Sequence, residues 1–225
     1  MVAQSFSSQI IAKNSLTAEL LEIRFTKPLG LVYEAGQFLQ LLVPPSATPR
    51  SYSLSSTPAD DYLEFLVKLH VGGLASEYFK TLQVGDEVKL NGSFGRFINT
   101  QINPIVGIAT GTGLVPVYGI FRDELVNKKN QVQMHLIFGV HSETDLFWVD
   151  RLEELAANFP QFTFTVAVSQ PDENWLGSRG RVTNHLKFIP EAQYFICGNP
   201  EMVKDVRTQL LTEAVPQANI HLEIF

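Results

Sequence analysis

Three short clusters hold the residue types in this chain that can do chemistry. Arg50-Ser51-Tyr52-Ser53-Leu54 joins a planar guanidinium, a flat phenol and small hydroxyls. The guanidinium suits a phosphate oxygen, the phenol suits an aromatic ligand, and the hydroxyls can donate to either. Gly111-Thr112-Gly113 follows an apolar run and opens a stretch with helical spacing. Such a turn aims backbone N–H groups and the positive end of a helix at an anion, commonly a pyrophosphate. Cys197-Gly198-Asn199-Pro200 closes another apolar run, with proline at the start of the next helix. Ligands of open α/β sheets bind at such carboxyl ends. Each cluster also has a plain structural reading: an edge strand with a core tyrosine, a turn that only reverses the chain, and a buried cysteine.

Gly72-Gly73-Leu74-Ala75-Ser76 repeats the anion logic earlier in the chain, because paired glycines admit a ligand to the backbone just before a short helix. Its plain alternative is a flexible turn with Ser76 as helix cap. Gly111-Thr112-Gly113 is not a P-loop, since no Gly-Lys-Ser/Thr follows. Pro116 stands where the common dinucleotide fingerprint has a third glycine. Proline is tolerated there, because N–H groups in the first turn of a helix lack internal partners. A nucleophilic role for Cys197 is disfavoured, as none of His70, His135, His141, His185 and His221 has a triad context. The same histidines lack metal-ligand spacing, so no metal is expected. Phe159, Phe162 and Phe164 read as core or as cover for a sheet edge.

Composition narrows the classes further. Hydrophobic residues make up 45% and charged residues 18% of 225, the profile of an ordinary folded protein. One cysteine excludes an intramolecular disulfide and a plant-type iron–sulfur cluster within this chain, which needs four. A net charge of −6 argues against a nucleic-acid surface. The apolar runs at 38–45 and 135–140 are strand-sized, so no membrane span is expected. Met1-Val2-Ala3-Gln4-Ser5 has no basic segment leading into an apolar one, and the expected location is the cytoplasm.

The elements that must position these clusters change character near residue 100. Before it, β-rich runs at 9–12, 18–26, 37–43, 50–55, 62–69 and 87–91 alternate apolar and polar residues between turns. That pattern predicts antiparallel strands in a barrel or sandwich, interrupted by a helix at 75–82. After it, strands at 104–109, 132–140, 162–168, 194–197 and 220–224 alternate with helices at 115–127, 150–158, 182–186 and 200–212. Five strands interleaved with helices predict a doubly wound parallel sheet. The boundary is expected within 99–103.

In this order the clusters resemble the ferredoxin–NADP(+) reductase superfamily, which includes flavin reductases and oxygenase reductase components. The resemblance implies an N-terminal antiparallel Greek-key β-barrel that binds flavin (1–100). A C-terminal α/β domain with a doubly wound, five-stranded parallel sheet then binds the nicotinamide nucleotide (101–225). By the match, Arg50 holds the flavin phosphate, Tyr52 packs on the isoalloxazine, and Ser53 lies near the hydride-accepting nitrogen. Ser51, Leu54 and Lys68 belong to the same flavin-binding set. Gly72, Gly73, Leu74, Ala75 and Ser76 resemble the second flavin motif, and Gly95-Arg96-Phe97 the glycine-x-phenylalanine that ends the barrel. Thr110, Gly111, Thr112, Gly113 and Pro116 are similar to the nucleotide pyrophosphate loop. Cys197, Gly198, Pro200 and Met202 match the segment beside the nicotinamide.

Ser53, Cys197 and Glu223 are the implied catalytic, ring-orienting groups, and Phe225 an aromatic cover for the flavin. The implied cofactors are FAD, with FMN the lesser alternative, and NADH or NADPH as hydride donor. The acceptor would be a separate ferredoxin, flavodoxin or oxygenase component. Free flavin as substrate, or a regulatory electron-transfer subunit, are the alternatives. A monomer is expected. NADPH-preferring relatives often carry arginine after the second and third strands of the nucleotide domain. His141-Ser142 and Ser169-Gln170 stand there instead, which favours NADH, while Arg179 and Arg181 are within reach of a phosphate from the following loop.

Overall fold

Alternating apolar and polar residues place one face of each early strand in a core, and six such strands form an antiparallel sheet that rolls closed. The computed structural model describes residues 4–225, so Met1-Val2-Ala3 and their part of the N-terminal reading lie outside the described residues. The strands are β1 (Ser5–Thr17), β2 (Leu20–Thr26), β3 (Phe38–Val43), β4 (Thr48–Ser53), β5 (Tyr62–Lys68) and β6 (Glu87–Phe94). Their order is β4-β3-β6-β1-β2-β5. The two outermost strands meet where Leu54 bridges Phe65 and the Ser55 N–H donates to the Glu64 carbonyl at 3.0 Å. Inward residues such as Ile23, Phe25, Leu39, Leu41, Phe65 and Leu90 are buried together. Helix α1 (Leu74–Thr81) adds Phe79 to that core.

The chain divides into two compact units, Met1–Ile98 and Asn99–Phe225. In the second, β7 (Ile105–Thr110), β8 (Met134–Val140), β9 (Phe162–Val168), β10 (Ser178–Arg179), β11 (Gln193–Gly198) and β12 (Ile220–Ile224) lie in the order β10-β9-β8-β7-β11-β12. All the pairings are parallel. β8 and β11 are buried along their whole length, as expected of strands covered on both faces. Helices α2 (Leu114–Arg122), α3 (Val149–Asn158) and α4 (Pro200–Thr212) connect them. No helix of the described residues is long and apolar enough to cross a membrane.

Three details depart from expectation. A sixth strand, β10, pairs through only two residues beside β9, too short to leave a pattern in the sequence. The helix expected at 182–186 is one 3-10 turn, Val182–Asn184. Gly180, at φ +97°, turns the chain just before it, and Val182 fills the space left by the missing side chain of Gly139. The helix expected to run unbroken over 115–127 ends as α2 at Arg122 and continues as one π-type turn, Asp123–Asn127. There, buried Asp123 and Glu124 meet Lys128 at 3.1 and 2.8 Å. Of the phenylalanines read as core, Phe162 is fully buried and stacks with Phe164 at 6.2 Å, which itself is half-buried.

Candidate functional site

In the first unit, β4 carries the arginine–tyrosine–serine cluster, held in register by β3, with Leu41 opposite Arg50, Leu39 opposite Tyr52 and Phe38 opposite Ser53. Arg50 and Ser51 are exposed. Among the described residues the Arg50 guanidinium donates only to the neighbouring Pro49 carbonyl, at 3.1 Å, which leaves most of its fork for an anion. Tyr52 sets its ring edge-on to Phe79 of α1, 5.4 Å between centroids. That contact brings the β4 cluster and the Gly72–Ser76 segment together. Burial pushes the Tyr52 phenol up to about 12, with Arg50 pulling the other way, so the ring stays neutral at working pH. Leu54 is fully buried, whereas Lys68 is exposed at the end of β5.

Ser53 is 5% exposed, and its Oγ has no hydrogen-bond partner among the described residues. A buried hydroxyl without a partner costs about 1–3 kcal/mol, a cost that a ligand atom accepting or donating there would relieve. Gly72 adopts φ +70° with open space on its side-chain face, and Gly73 caps α1. The N–H groups of Leu74, Ala75 and Ser76 follow in the first turn, where helices lack internal acceptors. Ser76 is not the helix cap of the plain reading. Its buried Oγ instead accepts the His70 N–H at 2.7 Å and fixes the preceding loop. Gly95 takes φ +97°, its carbonyl accepts from Gln37 Nε2 at 3.0 Å, and Phe97 is buried.

In the second unit three segments converge at the carboxyl ends of β7, β11 and β12. Ala109 pairs with Cys197, and Cys197 with Glu223. Gly111, at φ +53° with nothing near its side-chain position, begins a 3-10 turn that leads into α2 through Thr112 and Gly113. Pro116 lies buried in the first turn of α2. Thr110 Oγ1 accepts the Asn199 N–H at 3.2 Å, tying the glycine turn to the cysteine loop. Gly198 takes φ +144°, and a β-carbon there would meet the Thr110 carbonyl oxygen at 2.9 Å and Met202 Cε at 3.1 Å. Asn199 caps α4 by accepting the Glu201 N–H at 2.8 Å, with Pro200 in the first turn.

Cys197 is fully buried, and burial together with Glu223 drives its thiol far above the ordinary range. A thiol that stays protonated is a shape-filling neighbour, not a nucleophile. Glu223 Oε2 is buried without a hydrogen-bond partner among the described residues, and burial raises its carboxyl to about 7. Phe225 is half exposed, anchored by its N–H to the Gly198 carbonyl at 3.2 Å.

Arg179, whose place in the sequence suggested a phosphate ligand, already gives one of its amino groups to the loop before it. Its Nη2 donates to the carbonyls of Asp172, Glu173 and Trp175 at 2.9, 2.8 and 3.1 Å. Sequence reasoning also missed Glu143, whose Oε1 accepts the Asp172 N–H at 2.8 Å, because no local pattern marks a contact between two loops. Among the described residues no group of histidine, cysteine or carboxylate side chains could hold a metal.

Two family models match, an oxidoreductase FAD-binding domain over residues 7–98 and an oxidoreductase NAD-binding domain over residues 108–208. The chain is 33% identical to the toluate 1,2-dioxygenase electron transfer component of Pseudomonas putida, over 87% of this chain and 59% of that protein. It is 28% identical to ferredoxin–NADP reductase B of Sorangium cellulosum, over 98% of each. The crystal structure of the Amycolatopsis cytochrome P450 reductase GcoB superposes with a TM-score of 0.90 at 27% identity, over 99% of this chain and 70% of that one. The chain spans just under three fifths of the length of the first curated relatives it matches, 59% and 57%. With an FAD-binding and an NAD-binding domain in the order and with the loops described above, the chain belongs to the ferredoxin–NADP(+) reductase family of oxidoreductases.

Proposed function

We propose that this chain takes hydride from a nicotinamide nucleotide onto bound FAD and passes the electrons to a separate acceptor, a ferredoxin, a flavodoxin or an oxygenase component. One observation carries the reading. Among the described residues, the buried side-chain polar atoms left without a hydrogen bond are Ser53 Oγ and Glu223 Oε2, one in each unit. They are two of the three groups assigned to orient the reacting rings, and both would be satisfied by ligand atoms.

The residues present fit both groups. Residues 1–100 form the flavin-binding part of this reading, and residues 101–225 the nucleotide-binding part. The free fork of Arg50 suits a phosphate, the neutral ring of Tyr52 an isoalloxazine face, and Ser53 Oγ a ring nitrogen. Open space at Gly72 and the start of α1 suit the second phosphate of FAD, which favours FAD over FMN. Gly111, Thr112 and Gly113 suit the nucleotide pyrophosphate. Cys197 keeps a neutral thiol beside the nicotinamide, and Glu223 holds the ring by hydrogen bonding. When bound, FAD supplies the conversion of a two-electron hydride donor into single electrons, which no side chain here can do. The chain's own part is to bind and orient each ring and to exclude water from it.

A separate protein acceptor is favoured over free flavin because relatives named as electron transfer or reductase components recur among the matches. The location proposed is the cytoplasm and the state a monomer. The test is anaerobic addition of NADH to the purified, FAD-loaded protein, followed by a panel of acceptors. Bleaching of the flavin and re-oxidation by a ferredoxin or flavodoxin supports the reading. A flavin that stays oxidised with both nucleotides sinks it.

A further inference from the structure

β12 is the last strand of its sheet and has a neighbour, β11, on one side only. Its side chains alternate between two faces. On one of them Ile220 packs into the core with Val203, Val206 and Leu210 of α4, but Leu222 and Ile224 are exposed. Packing on that face therefore gives little hold to the carboxyl half of the strand. The other face carries His221 and Glu223, which stand level with Phe195 and Cys197 of β11.

His221 supplies the hold that is missing. Its ring lies flat on Phe195, 4.6 Å between centroids and 12° between planes. Its Nε2 lies 2.9 Å from Gln193 Oε1. An amide oxygen can only accept, so Nε2 donates its hydrogen, and the ring is fixed in tautomer as well as in place. Burial pushes the imidazole pKa down, which keeps the ring neutral at pH 7. Gln193 and Phe195 are both buried in the strand between β7 and β12, so they make a rigid seat. Glu223, two residues further along the same face, has no comparable anchor. Its Oε2 lacks a hydrogen-bond partner among the described residues, and the carboxyl sits where the strand puts it.

We propose that His221 is a positioning residue for hydride transfer: seated on Gln193 and Phe195, it sets the place of β12 on β11 and with it the place of the Glu223 carboxyl. This rests on the reductase reading above, in which Glu223 holds the nicotinamide. His221 then acts through Glu223 and not on the ring. A shift of about 1 Å in such a constellation can cost up to about a hundredfold in rate.

A double-mutant cycle tests this, read as stopped-flow reduction of the FAD-loaded protein by saturating NADH. His221→Ala and Glu223→Ala are each expected to slow flavin reduction about tenfold. The double variant should also be about tenfold slower than the native chain, not about a hundredfold, because one change removes what the other displaces. 5′-AMP lacks the nicotinamide and should bind the native chain and every variant within about twofold. Losses that multiply, or a native rate in His221→Ala, overturn the proposal. So does 5′-AMP affinity that falls along with the rate, since it would make His221 a general support of the fold. His221→Phe keeps a ring on Phe195 and removes only the hydrogen bond, so it can carry the same cycle if the alanine variant does not fold. It should be several-fold slower alone and add nothing to Glu223→Ala, and a native rate or multiplying losses there overturn the proposal equally. A native flavin that neither NADH nor NADPH reduces defeats the reductase reading and the proposal with it. A native flavin that is reduced, with losses that multiply, defeats only the proposal.

Discussion

Gly113 and Cys197 meet backbone to backbone: a β-carbon on Gly113 would overlap the carbonyl group of Cys197, 2.5 Å from its carbon and 2.8 Å from Gly198 Cα. Both partners are main-chain atoms in a buried strand end, so neither can swing aside as a side chain would. Gly113→Ala therefore separates the glycine turn from the cysteine loop, at an overpacking cost of about 1–3 kcal/mol. Nucleotide affinity should fall about tenfold or more, since misplacement of about 1 Å in a binding constellation is costly. Flavin content should be unchanged, because every residue assigned to the flavin lies in the other unit except Phe225. Retained NADH affinity in a folded Gly113→Ala protein would show that the close approach does not matter for binding.

The tie between Thr110 and Asn199 makes a second, milder case. Thr110→Val keeps the shape and removes the oxygen that accepts the Asn199 N–H. The expected loss is about 1 kcal/mol of stability, with KM for the nucleotide raised several-fold. Thr110→Ser restores the acceptor and should restore KM. A serine variant as impaired as the valine one would assign the effect to methyl packing instead.

Tyr52 separates ring packing from hydrogen bonding. Its ring sits against Phe79 inside the barrel core, and its hydroxyl stays protonated well past neutral pH. Tyr52→Phe should therefore keep the flavin, while Tyr52→Ala loses the stacking face and raises the flavin Kd about tenfold or more. Absorbance of the released flavin after dialysis reads both outcomes. Loss of flavin from the phenylalanine variant would mean that the hydroxyl, not the face, holds the cofactor.

At the amino ends of the parallel strands, Glu124 is almost fully buried. It accepts from Asn99 and Asn130 at 2.9 Å and from Lys128 at 2.8 Å. Glu124→Ala strands these donors, and only Lys128 is exposed enough to hydrate easily. The expected loss is about 2–4 kcal/mol in urea unfolding at unchanged m. A loss below ~0.5 kcal/mol, the scale of a surface substitution, would mean that water replaces the carboxylate without penalty.

How much of this was legible in the sequence depends on the range of each interaction. Gly111-Thr112-Gly113 and Gly72-Gly73 announce themselves because a positive φ or an open backbone needs glycine, a purely local demand. Strands such as β9 and β12 carry their own apolar pattern, and the expected bounds coincide with the observed ones. β10 could not be seen, since two residues make no period, and its pairing is decided by β9. The π-type turn at Asp123–Asn127 was hidden because its carboxylates satisfy helical spacing. Its buried Glu124 is held there by Asn99, 25 residues earlier, and by Asn130 just beyond the turn. Arg179 shows the same limit. The sequence places a cation in this loop, but only the fold shows its Nη2 donating to three carbonyls.

Glu223 gives the chain a pH dependence whose sign can be worked out. Burial raises its carboxyl from 4.5 to about 7, so the folded state prefers the protonated form. Between those values the folded chain binds more proton than the unfolded one, and stability falls as pH rises. The contribution is fully present below pH 4.5 and is lost as pH passes 7. Glu223→Gln keeps the shape and cannot ionise, so it should match the native chain near pH 4.5 and exceed it above pH 7, by at most about 3 kcal/mol. The same group should shape turnover. The native kcat/KM for the nucleotide is expected to inflect near pH 7, and the glutamine variant should lose that inflection. Thermal or urea unfolding between pH 5 and 8 tests the first claim, and steady-state rates over the same interval test the second. A stability difference that does not grow with pH would place the Glu223 carboxylate in contact with water rather than in the buried position where its Oε2 lacks a partner.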